Sequence, residues 1–294
     1  MLLALTTLFW AGNAVVGKVA VGLISGIEIS FWRWVIALLL LTPFAYKAVI
    51  HDLAYYRDHW VKMLLLGFLS VSVYNTFQYL ALQWTSVINV GVVTATMPLM
   101  VFMLTWIAGQ ERASRFQQLG LFVALCGVLL VITRGSPSVL LGLKLNPGDL
   151  LMLLAVFSFA LYSVLIKPLP SSLDKLGLLW MLVFLGVLGI LPFYLWDITR
   201  HHTFTLDMHT GLILLYVGIF PSILSYFFWN KAVTLGGANL AGMFCNLIPV
   251  YALLLAVVLL GESLSSYQLF GMLGIFAEIF LATSFRTRPG KRKT

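Results

Sequence analysis

The sequence predicts an all-α polytopic membrane protein with ten transmembrane helices in two inverted five-helix repeats. Three observations carry that expectation. Hydrophobic residues make up 61% of the 294-residue chain and charged ones only 10%, whereas a soluble domain carries roughly a quarter of its residues as charged types. The apolar residues fall into ten runs between charge and turn clusters, each near the about 20 residues that a helix needs to cross the hydrocarbon core. Finally, landmarks of the first half recur in the second at a nearly constant offset.

The runs place helices near 2–22, 28–47, 62–84, 87–108 and 114–134, then near 149–168, 174–196, 209–235, 237–260 and 265–285. They divide the chain into a first repeat (1–134), a connecting outer loop (135–148), a second, inverted repeat (149–286) and a basic cytoplasmic tail (287–294). The opening M-L-L-A-L-T-T-L-F-W has no basic residues before its apolar stretch and no clear cleavage site, so it reads as a retained first helix.

The formal net charge is +8, yet the basic residues form no single patch interleaved with exposed aromatics, which argues against nucleic acid. With the N-terminus cytoplasmic, the inner side receives thirteen of the eighteen Lys and Arg residues, among them Lys47, Arg57, Arg112, Arg115, Lys167 and Lys231. Arg134, Lys144 and Arg200 stay outside, and Lys18 and Arg33 lie within or at the outer ends of the first two spans. The excess of inner basic residues puts both termini in the cytoplasm, with anionic lipid headgroups as partners. Cys126 and Cys245 sit deep in apolar runs and read as small hydrophobes. His201 and His202 beside Asp197 and Asp207 make a weak metal pattern, so no metal or other cofactor is assigned.

The repeat is readable residue by residue. W-A-G-N-A-V-V-G-K (Trp10 to Lys18) aligns with F-A-L-Y-S-V-L-I-K (Phe159 to Lys167), and L-T-P-F ending at Phe44 with I-L-P-F ending at Phe193, at an offset of 149. Pro98 aligns with Pro249, Glu111 with Glu262, and Gln117 and Gly120 with Gln268 and Gly271, at 151. The loop around 197–209 absorbs the two extra residues, as loops do. Five is odd, so the second unit enters the membrane upside down. Glu111 is followed by Arg112 and Arg115, whereas Glu262 is followed by Ser263, Ser265 and Ser266, as an inner turn and its outer counterpart would be.

This pattern resembles the drug/metabolite transporter superfamily, in the ten-helix branch whose halves each carry an EamA domain. The small-residue-rich helix ending at Lys18, Arg33, Pro98 and Pro249, and the G-Q-E-R and L-G-E-S turns carry the resemblance over nearly the whole chain. It implies a central cavity lined by spans 1–4 and 6–9, with spans 5 and 10 peripheral. Within the superfamily the chain looks most like bacterial exporters of aromatic and other neutral amino acids. Arg33 has Leu182 as its repeat partner and Glu278 has Gly127, so charge is not symmetric between the halves.

Several residues are candidates for transport. A proline inside a helix frees the carbonyl four residues earlier, so Pro98 would release that of Thr94, and Pro249 that of Cys245, beside Thr96 and Asn246. Those carbonyls either face a wet path or are satisfied by neighbouring side chains. Tyr74, Asn75, Gln78 and Tyr79 share one helical face, and the repeat sets Ser225, Tyr226, Trp229 and Asn230 at the same steps. Buried amides are costly unless paired or hydrated, so these faces are cavity walls or interhelical hydrogen-bonding seams. Asn13 and Tyr162 are repeat partners near Lys18 and Lys167, two lysines that either guard opposite gates or snorkel to the headgroups. Glu278, acidic and well inside a span, is the candidate for proton coupling, with pairing inside the bundle as its other role.

The expected activity is secondary transport: export of small neutral metabolites across the bacterial cytoplasmic membrane by alternating access. Tyrosine, tryptophan, amides and freed carbonyls suit a zwitterion with an apolar or aromatic side chain. Few inward cations are available for a phosphorylated substrate. A multidrug or other metabolite carrier of the same superfamily is the alternative. An intramembrane lipid-processing enzyme is disfavoured, because no ligand cluster or acid–base motif appears.

Overall fold

The computed structural model describes residues 1–85, 90, 93–110, 114–133, 136, 138, 146–200, 204–260 and 266–284. Among them, regular structure is helical throughout: α1 (Leu2–Ala20), α2 (Gly26–His51), the short α3 (Leu53–Asp58), α4 (Trp60–Trp84), α5 (Met97–Ile107) and α6 (Arg115–Ile132). The second half supplies α7 (Pro147–Ile166), α8 (Lys175–Ile198), α9 (Met208–Gly236), α10 (Ala238–Phe244), α11 (Leu247–Leu260) and α12 (Ser266–Ser284). Lys144, Glu111, Arg112, Arg134, His201, His202, Glu262, Ser263, Ser265, the tail and the side chains of Lys18 and Gln268 lie outside the described residues.

Local chemistry sets the helix starts. Ser25 opens α2 with a capping box: its hydroxyl accepts from Glu28 N while Glu28 accepts from Ser25 N. Asn146 and Asp149 do the same for α7, and Asp207 with Thr210 for α9. Gly237, at φ 91, ends α9 in the left-handed region that glycine tolerates, and α10 begins directly after it.

Five described helices are long and apolar enough to cross a membrane: α2, α4, α7, α8 and α9. Two further expected spans, 87–108 and 237–260, are interrupted by turns. The expected span at 237–260 is broken at Cys245–Asn246, where Cys245 N bonds Gly242 O and Asn246 N bonds Met243 O in tight turns. Ile248 N then donates to the Cys245 carbonyl at 3.0 Å, so that carbonyl is not the free acceptor expected from a mid-helix Pro249. Pro98 likewise stands in the first turn of α5 rather than kinking a longer helix, a position where its missing N–H costs nothing. Among the described residues, Pro43 of α2, Pro192 of α8 and Pro221 in the π segment of α9 stand inside continuous helices.

Two long helices carry a feature that the sequence does not announce. Phe68–Val73 of α4 and Ile219–Leu224 of α9 are six-residue π-helical segments, 151 residues apart. Such bulges are rare and concentrate at functional positions.

The buried core is mostly apolar, with polar groups buried within it. Large apolar side chains such as Phe44 and Phe122 are exposed, facing outward, while Arg33, Glu278, Asn75 and Asn230 are buried. Cys126 also faces outward, whereas Cys245 is buried. The helix pair α2 and α8 runs antiparallel, pinned at both ends: Ser25 Oγ donates to Asp197 at one, and Asp174 N donates to Asp52 Oδ2 at 2.9 Å at the other. Beside the second contact, burial and the Asp52 and Asp174 carboxylates hold the Tyr56 phenol above its ordinary range. The helix pair α6 and α12 crosses at glycines, where a Cβ on Gly127 would stand 2.7 Å from the Gly271 carbonyl and one on Gly120 3.3 Å from Glu278 Cα.

Candidate functional site

A buried cluster of polar and aromatic side chains fills the middle of the bundle, drawn from α1, α2, α4, α7 and α9. Its densest hydrogen bonding lies around Arg33, which is only 1% exposed. Arg33 Nε donates to Ser222 Oγ at 2.8 Å and Nη1 to the Tyr79 hydroxyl at 2.8 Å. Tyr79 in turn donates to Asn13 Oδ1 at 3.0 Å. The guanidinium also lies 5.2 Å from the Trp34 ring centre and 5.7 Å from that of Tyr79, within cation–π range.

Across the cluster, the Tyr162 hydroxyl donates to Asn230 Oδ1. Between the two tyrosine–asparagine pairs, Asn75 Nδ2 donates to the Tyr226 hydroxyl at 3.0 Å, and both residues donate to the Ser70 carbonyl. That carbonyl lies in the first π segment, where the displaced backbone ladder leaves acceptors open to side chains.

Aromatic rings wall the polar groups. Trp10 packs edge-on to Phe159 at 5.3 Å and tilts against Trp229 at 5.2 Å, while Trp34 packs edge-on to Tyr226 at 4.9 Å. Trp10 Nε1 reaches the Pro221 carbonyl in the second π segment, and Trp229 Nε1 reaches Ser163 Oγ.

The structure therefore gathers Asn13, Arg33, Tyr74, Asn75, Tyr79, Tyr162, Tyr226, Trp229 and Asn230 into this cluster. Gln78 and Thr94 are only half-buried, and the Thr94 hydroxyl bonds back to Val90 O within its own segment. Lys167 stands at the C-terminal cap of α7. Asn246 and Glu278 form a separate buried pair, Nδ2 to Oε2 at 2.8 Å, at the break between α10 and α11. Glu278 thus pairs inside the bundle, on a helix packed chiefly against α6.

Trp10, Trp34, Phe159 and Ser222 were not singled out from sequence, although Trp10 and Phe159 open the aligned segments of the two halves. An apolar groove of about 630 Å³ between α5 and α6, with Met103, Trp106 and Phe122 in its walls, touches none of the predicted site residues.

A family model described as the EamA-like transporter family matches residues 1–133 and 146–284. The chain belongs to the EamA-like transporter family. Its apolar helices are those of an integral membrane protein. Among relatives of this EamA-like chain, an uncharacterized transporter of Archaeoglobus fulgidus is 26% identical, over 97% of this chain and 96% of that one. A Salmonella typhimurium protein named "probable amino-acid metabolite efflux pump" is 30% identical over 62% of each chain. A crystal structure at 17% identity superposes with a TM-score of 0.77 over 96% of both chains, which shows a shared fold.

Proposed function

We propose that this EamA-like chain is a secondary transporter that exports small neutral metabolites, aromatic and other neutral amino acids among them, by alternating access between two inverted five-helix repeats. It would sit in the bacterial cytoplasmic membrane with both termini inside. One observation carries the reading. Asn13–Tyr79 in one half and Tyr162–Asn230 in the other are the same hydrogen-bonded pair with the residue types exchanged, at the aligned positions of the two halves.

Other contacts support the same axis. Asn75 and Tyr226 are aligned partners and bond to each other, as two groups facing across a pseudo-twofold would. The two π segments occupy aligned positions. Gly120 meets Glu278 while Gly127 meets Gly271, which is one contact and its repeat image. Duplicated, inverted helices enclosing a polar midplane are the architecture of alternating access.

The cluster suits an amphipathic solute. Tryptophan and tyrosine faces accept an apolar side chain or an ammonium, and the Asn and Tyr groups supply hydrogen bonds. The Salmonella relative's name points the same way for solute class and for direction. Loading purified protein in liposomes with unlabelled amino acid and following uptake of labelled L-phenylalanine or L-leucine tests the proposal. Accelerated counterflow is expected, and no flux of any neutral amino acid would sink it.

A further inference from the structure

A guanidinium cannot shed its proton in a protein, so burying it is tolerable only when its charge is answered. Arg33 is buried in the middle of the bundle, yet its described partners, Ser222, Tyr79 and the Trp34 ring, are all neutral. Among the described residues no carboxylate stands within ion-pair distance of it. The fork has five N–H donors, and two are spent on these hydroxyls. Directly beside it the fully buried Trp34 has its indole N–H without an acceptor among the described residues.

The second half sharpens the contrast. Leu182 aligns with Arg33, and their carbonyls play the same packing role: a Cβ on Gly67 would stand 2.6 Å from Leu182 O, and one on Gly218 3.3 Å from Arg33 O. The backbone place is duplicated while the charge is not. Asn230, aligned with Tyr79, has no cation to answer among the described residues, and its Nδ2 is a buried donor without an acceptor among them. Other buried acceptors that the described hydrogen bonds leave over include Glu278 Oε1 and Asn246 Oδ1 at the α10–α11 break.

We infer that Arg33, with the Trp34 indole N–H beside it, holds the carboxylate of the transported solute, so that the site takes molecules with one carboxylate and an apolar body and refuses the corresponding amines. This deepens the transport reading and rests on it. A carboxylate accepts two parallel N–H groups from an arginine fork, matching the donors left unspent. The aromatic wall of Trp10, Phe159 and Trp229 is then left for the apolar body.

Detergent-purified protein titrated with 3-phenylpropanoate, L-phenylalanine and phenethylamine, followed by tryptophan fluorescence and melting temperature, tests the assignment. Both carboxylates are expected to bind and phenethylamine is not. Arg33→Gln should weaken carboxylate binding roughly ten- to a hundredfold, the range of a lost charge-assisted bond, while Trp34→Phe costs a smaller factor. The wild-type comparison decides even if Arg33→Gln fails to assemble. Phenethylamine binding as tightly as phenylpropanoate, no binding of either carboxylate, or undiminished binding in Arg33→Gln overturns the inference. Carboxylate binding without amino-acid flux in liposomes leaves Arg33 its role and sinks the transport reading; flux with undiminished binding in Arg33→Gln does the reverse.

Discussion

The Tyr79 hydroxyl accepts from Arg33 and donates to Asn13, whereas the Tyr162 hydroxyl donates to Asn230 alone. Removing each oxygen therefore has a different cost. Tyr79→Phe leaves a buried cation short of an acceptor and should lower stability by about 1.5–3 kcal/mol, against about 1 kcal/mol for Tyr162→Phe. Melting of the two variants in detergent checks this, and equal losses would contradict the network. Glu278 poses a different question, because it is fully buried and its Oε1 has no described partner beside Asn246. If it carries the coupling proton, Glu278→Gln should retain counterflow yet lose the acceleration of net flux by an imposed pH gradient. The polar faces holding Tyr74, Asn75, Tyr79, Tyr226 and Asn230 were legible because buried amides and phenols at helical spacing stand out in apolar runs. Trp34 and Ser222 were not: in such a sequence one tryptophan or serine looks like another until a guanidinium is placed beside it.

Helices meet where side chains let them. The α6–α12 crossing is built on Gly120, Gly127 and Gly271, so Gly127→Leu should force the pair apart and cost about 1–3 kcal/mol, read as a lower melting temperature. Gly22, whose added Cβ would come no nearer than 3.5 Å to the atom it meets, is the control expected to tolerate alanine. At the start of α9 the Thr210 backbone N–H, and then its hydroxyl, hold the Asp207 carboxylate below its ordinary value. A value lowered by folding means that the cap is fully effective above the unfolded aspartate value of about 3.9 and is lost as pH falls through the folded one. Hydrogen exchange in the first turn of α9 should therefore speed up below about pH 4, after correction for the intrinsic rate, and Asp207→Asn should remove that step. The five long apolar helices could be read from hydropathy because lipid sets a length for each. The break before α11 and the two π segments could not: a turn at Cys245–Asn246 or one displaced hydrogen bond changes neither apolar content nor period. Pro98 and Pro249 misled for a related reason, since a proline looks the same in a helix's first turn as in its middle.

For the whole molecule, the alignment of the two halves pairs residues that meet in the structure, as Asn75 does with Tyr226. Arg33 and Leu182 mark where that signal stops, for a repeat predicts what is shared and is silent on what each half acquired alone. The proposed movement between the halves gives a further test at this scale. In a background free of Cys126 and Cys245, Ser25→Cys with Asp197→Cys should form a disulfide that arrests counterflow, with flux restored by reductant. A cross-linked protein that still exchanges solute would show that α2 and α8 do not part at that end.

The hydrogen bonds pinning that helix pair have one further consequence. Ser25 holds Asp197 at one end and Asp52 holds Asp174 at the other, both at once. In the proposed alternating access these two bonded ends stand as the upper and lower gates of a canal lock, with the buried Arg33 between them along α2. A vessel passes such a lock only if one gate stays closed while the other swings, so the bilayer never sees a clear channel. Losing the bonds at both ends together, as in Ser25→Ala with Asp52→Ala, would trade measured passage for a leak.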